Sequence, residues 1–201
     1  AGTGLYLNAV IDRLEVPGRW PAVRADLEAA TTPELWQRLT ALDPTAAARI
    51  DPGNRRRLAR ALEVTIGGGR PFSSYGPGLQ AYPPTPAVLL GLRWPRAALA
   101  ARIEARVDAM MAAGLLAEVA ALDAAGMSRT ARQALGYKEL LDHLRGEVSL
   151  DTAVAAIVLR TRQFAVRQER WFRRDPRVRW FDIDRDPVAE VAPAVVDVLH
   201  A

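Results

Sequence analysis

The chain has no cysteine, a single lysine and two histidines in 201 residues. Without cysteine there is no disulfide, no thiolate nucleophile and no thiolate metal site. His143 and His200 lie far apart in sequence, which leaves a structural zinc site too few ligands, and no metal-ligating residues are assigned. Long apolar runs are missing as well. No stretch approaches the roughly 18 consecutive apolar residues that span a bilayer. Residues 1–10 lack the basic start and apolar centre of a secretory signal. These absences fit a reducing compartment, and the expected location is cytoplasmic with no membrane partner. Disorder is excluded by what is present: half of the residues are hydrophobic, enough apolar surface to offset chain entropy. The length allows one domain with a real core, or one domain and a small insert.

The net charge of +4 is modest. Because Lys138 is the only lysine, nearly every cation is arginine. A GC-rich genome accounts for much of the arginine and alanine, but not for where the arginines cluster. The rigid, always-charged guanidinium fork suits phosphate recognition.

Punctuation by glycine and proline divides the chain. Residues 1–7 read as a glycine turn entering a helix, Leu5 to about Leu14. Short helices are expected at Trp20–Ala30, Pro33–Ala41 and Pro44–Arg49, with Thr31 or Thr32 as a cap and Pro33 at the first helical position. A turn at Asp51–Asn54 leads into a helix over Arg55–Ile66, ended by Gly67-Gly68-Gly69. Arg70 to Pro86 is rich in Gly, Pro, Ser and Tyr and reads as a loop or hinge. Ala87–Leu92 fits a fully buried strand, and Val178–Ile183 a second. Between them are helices from Pro95 or Arg96 to Ala113, onward to Ala125, Gly136–Leu144 and Leu150–Arg174, with a last one over Val188–Leu199. Leu99, Ile103, Val107 and Met110 form the apolar stripe of the first of these. Two strands flanked by helices suit part of an α/β layered core, and the strand-free stretch 18–75 suits a helical insertion.

Four constellations could carry chemistry. On a helix, Arg160, Arg167, Arg170 and Arg174 fall within roughly a quarter-turn of one another. Ile157, Phe164, Trp171 and Phe172 form the neighbouring apolar face, and Glu169 is nearly alone among the cations. Like charges kept together point to a polyanion; the plain alternative is a solvated face in an arginine-rich protein. Arg55, Arg56, Arg57 and Arg60 crowd a helix start, where acids are preferred, so either an external phosphate or ion pairing between helices must offset the cost. Arg102 and Arg106 share a face at i,i+4 and could clamp a diphosphate, although pairing with a neighbouring helix explains them equally. In Gln133–Lys138, Gly136, Tyr137 and Lys138 could present backbone and ring to a nucleotide; by spacing alone the segment is a helix start.

Taken in order, these segments resemble the tRNA dimethylallyltransferase (tRNA isopentenyltransferase) family over essentially the whole chain. The pieces are Gly2–Tyr6; Asp43-Pro44 with Ala47–Ile50; Asp51-Pro52 through Arg57 and Arg60–Val64; Arg102–Val107 with Gly114-Leu115 and Glu118-Val119; Gly136–Leu140; and Thr161–Gln163 with Arg167-Gln168 and Trp171-Phe172. The resemblance implies a predominantly helical α/β fold, part of a P-loop-kinase-like parallel-sheet core (1–17 and 76–201) with an inserted all-helical domain (18–75). It implies transfer of a dimethylallyl group from dimethylallyl diphosphate to N6 of the adenine next to the tRNA anticodon, with Mg2+ and nucleotide (ATP) binding. The adenine would be flipped into a channel, as base-modifying enzymes must do.

By position, Arg106 matches the family arginine that holds the diphosphate and stabilises its departure, with Arg102 beside it. Thr3, Arg24, Arg56, Arg57, Arg60, Gln133, Gly136, Tyr137, Lys138, Arg167, Gln168, Trp171 and Arg173 match tRNA-contacting stretches. The partners implied are the tRNA anticodon stem-loop and dimethylallyl diphosphate, with the protein a monomer. Three departures stand out. Ala1 replaces a family glycine, Val166 replaces a lysine, and the glycine-rich phosphate loop, G-x-x-x-x-G-K-[ST], does not occur. Metal ligands and the base are therefore expected outside these residues, and the chain alone is expected to be inactive. The alternatives are an RNA-binding helical fragment without catalysis, and an isopentenyltransferase acting on free adenine nucleotide.

Overall fold

A computed structural model describes residues 4–76 and 81–199, except the side chain of Leu199. The chain divides into two compact units, residues 1–87 and 88–201.

In the first unit every described element is helical: α1 (Gly4–Ile11), α2 (Pro21–Glu28), α3 (Thr32–Leu42), α4 (Pro44–Arg49), α5 (Arg55–Gly68) and a 3-10 turn at Phe72–Ser74. Local chemistry explains most boundaries. Prolines occupy the first turns of α2, α3 and α4, where a missing N–H costs nothing. Thr31 and Glu34 form a reciprocal capping box at α3, and Asn54 caps α5. Leu27, Leu35, Leu39, Leu58 and Leu62 meet in a dry core, with Phe72 packed against it.

Asp43, only 2% exposed, joins three pieces of this unit. One carboxylate oxygen accepts the Ala46 N–H at 2.9 Å, capping α4. The two oxygens also accept the Ser73 hydroxyl at 2.8 Å and the Ser73 N–H at 2.7 Å. The expected loop from Arg70 thus begins as an ordered turn fastened to the bundle. The first helix is shorter than expected, ending at Ile11 rather than near Leu14. Arg13 takes a left-handed conformation (φ 48°), and the Leu14 N–H bonds back to the Ala9 carbonyl at 3.1 Å, closing the helix without glycine.

The second unit runs β1 (Leu89–Arg93), α6 (Arg96–Ala112), α7 (Leu115–Ala124), a 3-10 turn (Ala131–Gln133), α8 (Tyr137–Leu144), α9 (Leu150–Phe172), β2 (Val178–Asp182) and α10 (Pro187–Leu199). The strands pair in parallel, Leu89 opposite Val178 and Arg93 opposite Asp182. A parallel pair needs a long crossover, and the four α-helices α6–α9 supply it. Expectation and structure differ on burial. β1 was expected to be fully buried, yet Leu92 is 49% exposed, and β2 exposes Arg179 and Asp182. Among the described residues the sheet has two strands, and Leu92, Arg179 and Asp182 are exposed on it. Gly91 is required by the pairing: a Cβ there would lie 2.7 Å from the Trp180 ring. Val107, Val119, Leu140, Leu141, Ala153 and Ile157 form the core beneath α6–α9.

Candidate nucleic-acid interface

α9 carries the largest arginine face, and packing divides it. Near its middle, Arg160 makes an ion pair with Glu139 on α8 and Arg162 one with Glu104 on α6. Further along, Arg173 pairs with Glu169 at 2.5 Å. Arg167 lies over the Phe164 ring at 5.8 Å, a contact that leaves its donors available. Arg167, Arg170 and Arg174 are exposed on one face without a carboxylate partner among the described residues. Gln168 and Trp171 are half-buried. Of the four arginines expected within a quarter-turn, Arg160 is committed within the molecule and the other three point to solvent.

The segment ahead of α8 lies on the same unit. Gly136 (φ 95°) is buried, and its N–H donates to Glu139 Oε2 at 2.8 Å. Glu139 is 3% exposed. The Tyr137 hydroxyl donates to Glu118, and that hydrogen bond raises the phenol above its ordinary value of 10.0. Lys138 pairs with Asp142 at 2.7 Å, and Gln133 is exposed at the end of the 3-10 turn.

On α6, Arg102 and Arg106 are both exposed, one turn apart. Trp94, just ahead of the helix, offers its ring to the Arg102 guanidinium at 4.3 Å. This stacking lowers the freedom of one fork while Arg106 stays without a partner among the described residues. Two guanidinium groups so placed can receive a polyanionic leaving group.

The helix-start cluster of the first unit also divides. Arg55 donates to the Ala30 carbonyl and, at 2.8 Å, to that of Glu28, closing the C-terminal end of α2. Arg60 pairs with Glu63 at 2.9 Å and donates to the Pro17 carbonyl at 2.9 Å. Arg24 is 3.8 Å from the other oxygen of Glu63. Glu63 is itself buried and accepts the Trp20 N–H at 3.0 Å. Arg56 and Arg57 remain exposed without such partners among the described residues. A cavity of ≈ 230 Å³ between α2 and α5 is lined by Arg24, Leu27, Glu28, Arg55, Arg56 and Ala59. Thr3 lies outside the described residues.

Sequence reasoning gave Glu63, Glu104, Glu139 and Trp94 no role as partners of these arginines. Each acts on an arginine from another element or another turn. The only sequence signal was that the arginines needed partners somewhere. Among the described residues no group of three or more His, Asp or Glu is arranged to hold a metal ion, and no helix is long and apolar enough to cross a membrane.

A family model described as IPP transferase matches residues 1–175. A tRNA dimethylallyltransferase of Kineococcus radiotolerans is 46% identical over 98% of this chain and 64% of its own length. One from Streptomyces coelicolor is 44% identical over 98% and 65%. The chain thus spans a little under two thirds of the length of such relatives. Among solved structures, the tRNA isopentenylpyrophosphate transferase of Bacillus halodurans is 34% identical with a TM-score of 0.61, covering 98% of this chain and 64% of that one. A eukaryotic dimethylallyltransferase solved acting on tRNA shares the fold, with a TM-score of 0.76 at 21% identity over 99% of this chain and 55% of that one. The chain belongs to the IPP transferase family.

Proposed function

We propose that this chain is the tRNA-gripping and diphosphate-holding part of a tRNA dimethylallyltransferase. In the reaction, the N6 amine of the adenine next to the anticodon attacks the allylic C1 of dimethylallyl diphosphate. The C1–O bond breaks, the N6–C1 bond forms, inorganic pyrophosphate leaves, and the amine proton passes to a base. Arg106, with Arg102 beside it, would neutralise the charge that develops on the leaving diphosphate. No residue of this chain is assigned as the base. Mg2+ would add charge neutralisation at the diphosphate. The described residues hold no cluster suited to it, so no step here passes through the metal.

The tRNA side is assigned to Thr3, Arg24, Arg56, Arg57, Arg60, the stretch Gln133 with Gly136, Tyr137 and Lys138, and Arg167, Gln168, Trp171 and Arg173. The observation that carries the reading is the α9 face, where Arg167, Arg170 and Arg174 stand exposed without carboxylates, in a chain of this family. Residues 1–17 and 76–201 are read as the α/β core and 18–75 as its helical insert, in a monomeric cytoplasmic protein.

Filter binding of an anticodon stem-loop RNA across a salt series tests the reading. Binding that weakens steeply with salt is expected. Equal affinity for free AMP and for the stem-loop would reject it in favour of a nucleotide-level enzyme. In a version extended to the full length of its relatives, Arg106→Ala should cut turnover far more than RNA affinity; the reverse pattern removes Arg106 from the diphosphate.

A further inference from the structure

Arg160 belongs to the arginine face of α9 by sequence but not by contact. Its guanidinium reaches across to α8 and pairs with Glu139. Glu139 is 3% exposed, and its Oε2 accepts the Gly136 N–H at 2.8 Å. Gly136 in turn sits at φ 95°, a backbone conformation that side chains other than glycine rarely adopt. The carboxylate therefore has two neighbours: a glycine turn ahead of α8 and a cation from α9. It is buried, so it depends on both to offset the loss of water. Tyr137 and Lys138 follow directly on the turn, and each is held by its own partner, Glu118 and Asp142.

We propose that Glu139 and Arg160 are positioning residues that set the Gly136-Tyr137-Lys138 turn for contact with RNA, and that Arg160 itself touches no phosphate. The inference rests on the RNA-binding reading above. It separates two tasks among the arginines of this segment: Arg160 shapes the neighbouring turn, while Arg167 and the exposed arginines around it meet the polyanion. Arg160 lies half-exposed, so an exchange of partners with a phosphate is sterically open. The geometry argues against it, because leaving Glu139 buried without its cation is costly.

The test measures stem-loop affinity and its salt slope for Arg160→Ala, Glu139→Gln and Arg167→Ala, with a thermal melt for each. Arg160→Ala and Glu139→Gln should each weaken binding by about tenfold, the scale of losing one buried charged partner, and leave the salt slope unchanged. Their double variant should lose little more than either alone. Arg167→Ala should lower the slope by about one counterion. A slope that falls by about one in Arg160→Ala makes it a phosphate contact and overturns the proposal. A lowered melting temperature with unchanged affinity, measured well below the melt, reduces the pair to a stabilising role and overturns it too. Should Arg160→Ala fail to fold, Glu139→Gln and Arg160→Lys decide the matter: wild-type affinity in Glu139→Gln rejects the proposal. Amide exchange at Gly136 separates this failure from that of the RNA reading. A wild-type chain that binds no RNA ends both. A Gly136 amide equally protected in the wild type and in Glu139→Ala ends this one alone.

Discussion

Gly67 lies beneath the indole of Trp20, and a Cβ built there would fall 2.2 Å from Trp20 Cγ. That distance is far inside van der Waals contact, so Gly67→Ala must displace the ring. Overpacking of this kind costs about 1–3 kcal/mol, and a urea melt should read a loss in that range. Pairing it with Trp20→Ala should remove the penalty of the added methyl group. Asp43 presents the opposite case, a buried carboxylate whose three donors all need it. Asp43→Ala should cost about 3 kcal/mol, since it removes a helix cap and strands the Ser73 N–H and hydroxyl. A loss below half of that in the same melt would mean that water replaces the carboxylate. The helix start at Pro44 was legible in the sequence, but the cap supplied by Asp43 was not singled out, and its second task on Ser73 could not be, because those residues are 30 apart in the chain.

At the scale of elements, α10 is fastened by its own first turn. Glu190 accepts the N–H groups of Asp184 at 2.8 Å, Arg185 at 2.7 Å and Asp186 at 2.6 Å. These bonds favour the charged form and hold the carboxyl below its ordinary value of 4.5. A carboxylate with a lowered folded-state pKa adds stability that is present above about pH 4.5 and fades as pH falls through the lower value. Glu190→Gln should therefore melt below the wild type at pH 7, and the gap should close as the pH drops below about 4.5. A gap that widens in acid would contradict this. Element existence was readable almost everywhere from proline, glycine and apolar spacing. One boundary and one burial were not. α1 stops at an arginine in a left-handed conformation, for which no residue-type signal exists. β1 looks buried by composition because Leu89, Leu90 and Leu92 are all apolar, but burial is a property of what covers a strand.

For the whole molecule the consequential quantity is which arginines stay free of carboxylates. Salt dependence of RNA binding counts the phosphates neutralised. Arg167→Ala combined with Arg174→Ala should lower the slope by about two, whereas Arg55→Ala should leave it unchanged, because Arg55 closes the end of α2. Arg55→Ala should instead lower the melting temperature. Equal slopes for the wild type and the Arg167/Arg174 double variant would move the RNA to another face.

By itself the sequence determined the class of the molecule. Helix punctuation and two apolar runs were sufficient for a predominantly helical α/β protein, the ordered motifs were sufficient for the family, and the clustered arginines raised the anion-binding reading proposed above. These are local or linear properties, carried by residue type and spacing. Tertiary structure decided which members of each cluster meet solvent. By residue type and clustering Arg160 stood with Arg170 and Arg174, and Arg55 with Arg56, while Arg162 fell on the other side of its helix. Arg160, Arg162 and Arg55 differ because Glu139, Glu104 and the carbonyls of Glu28 and Ala30 come to them from other helices. Charge is written in the chain, but its neutralisation depends on what packing brings within reach.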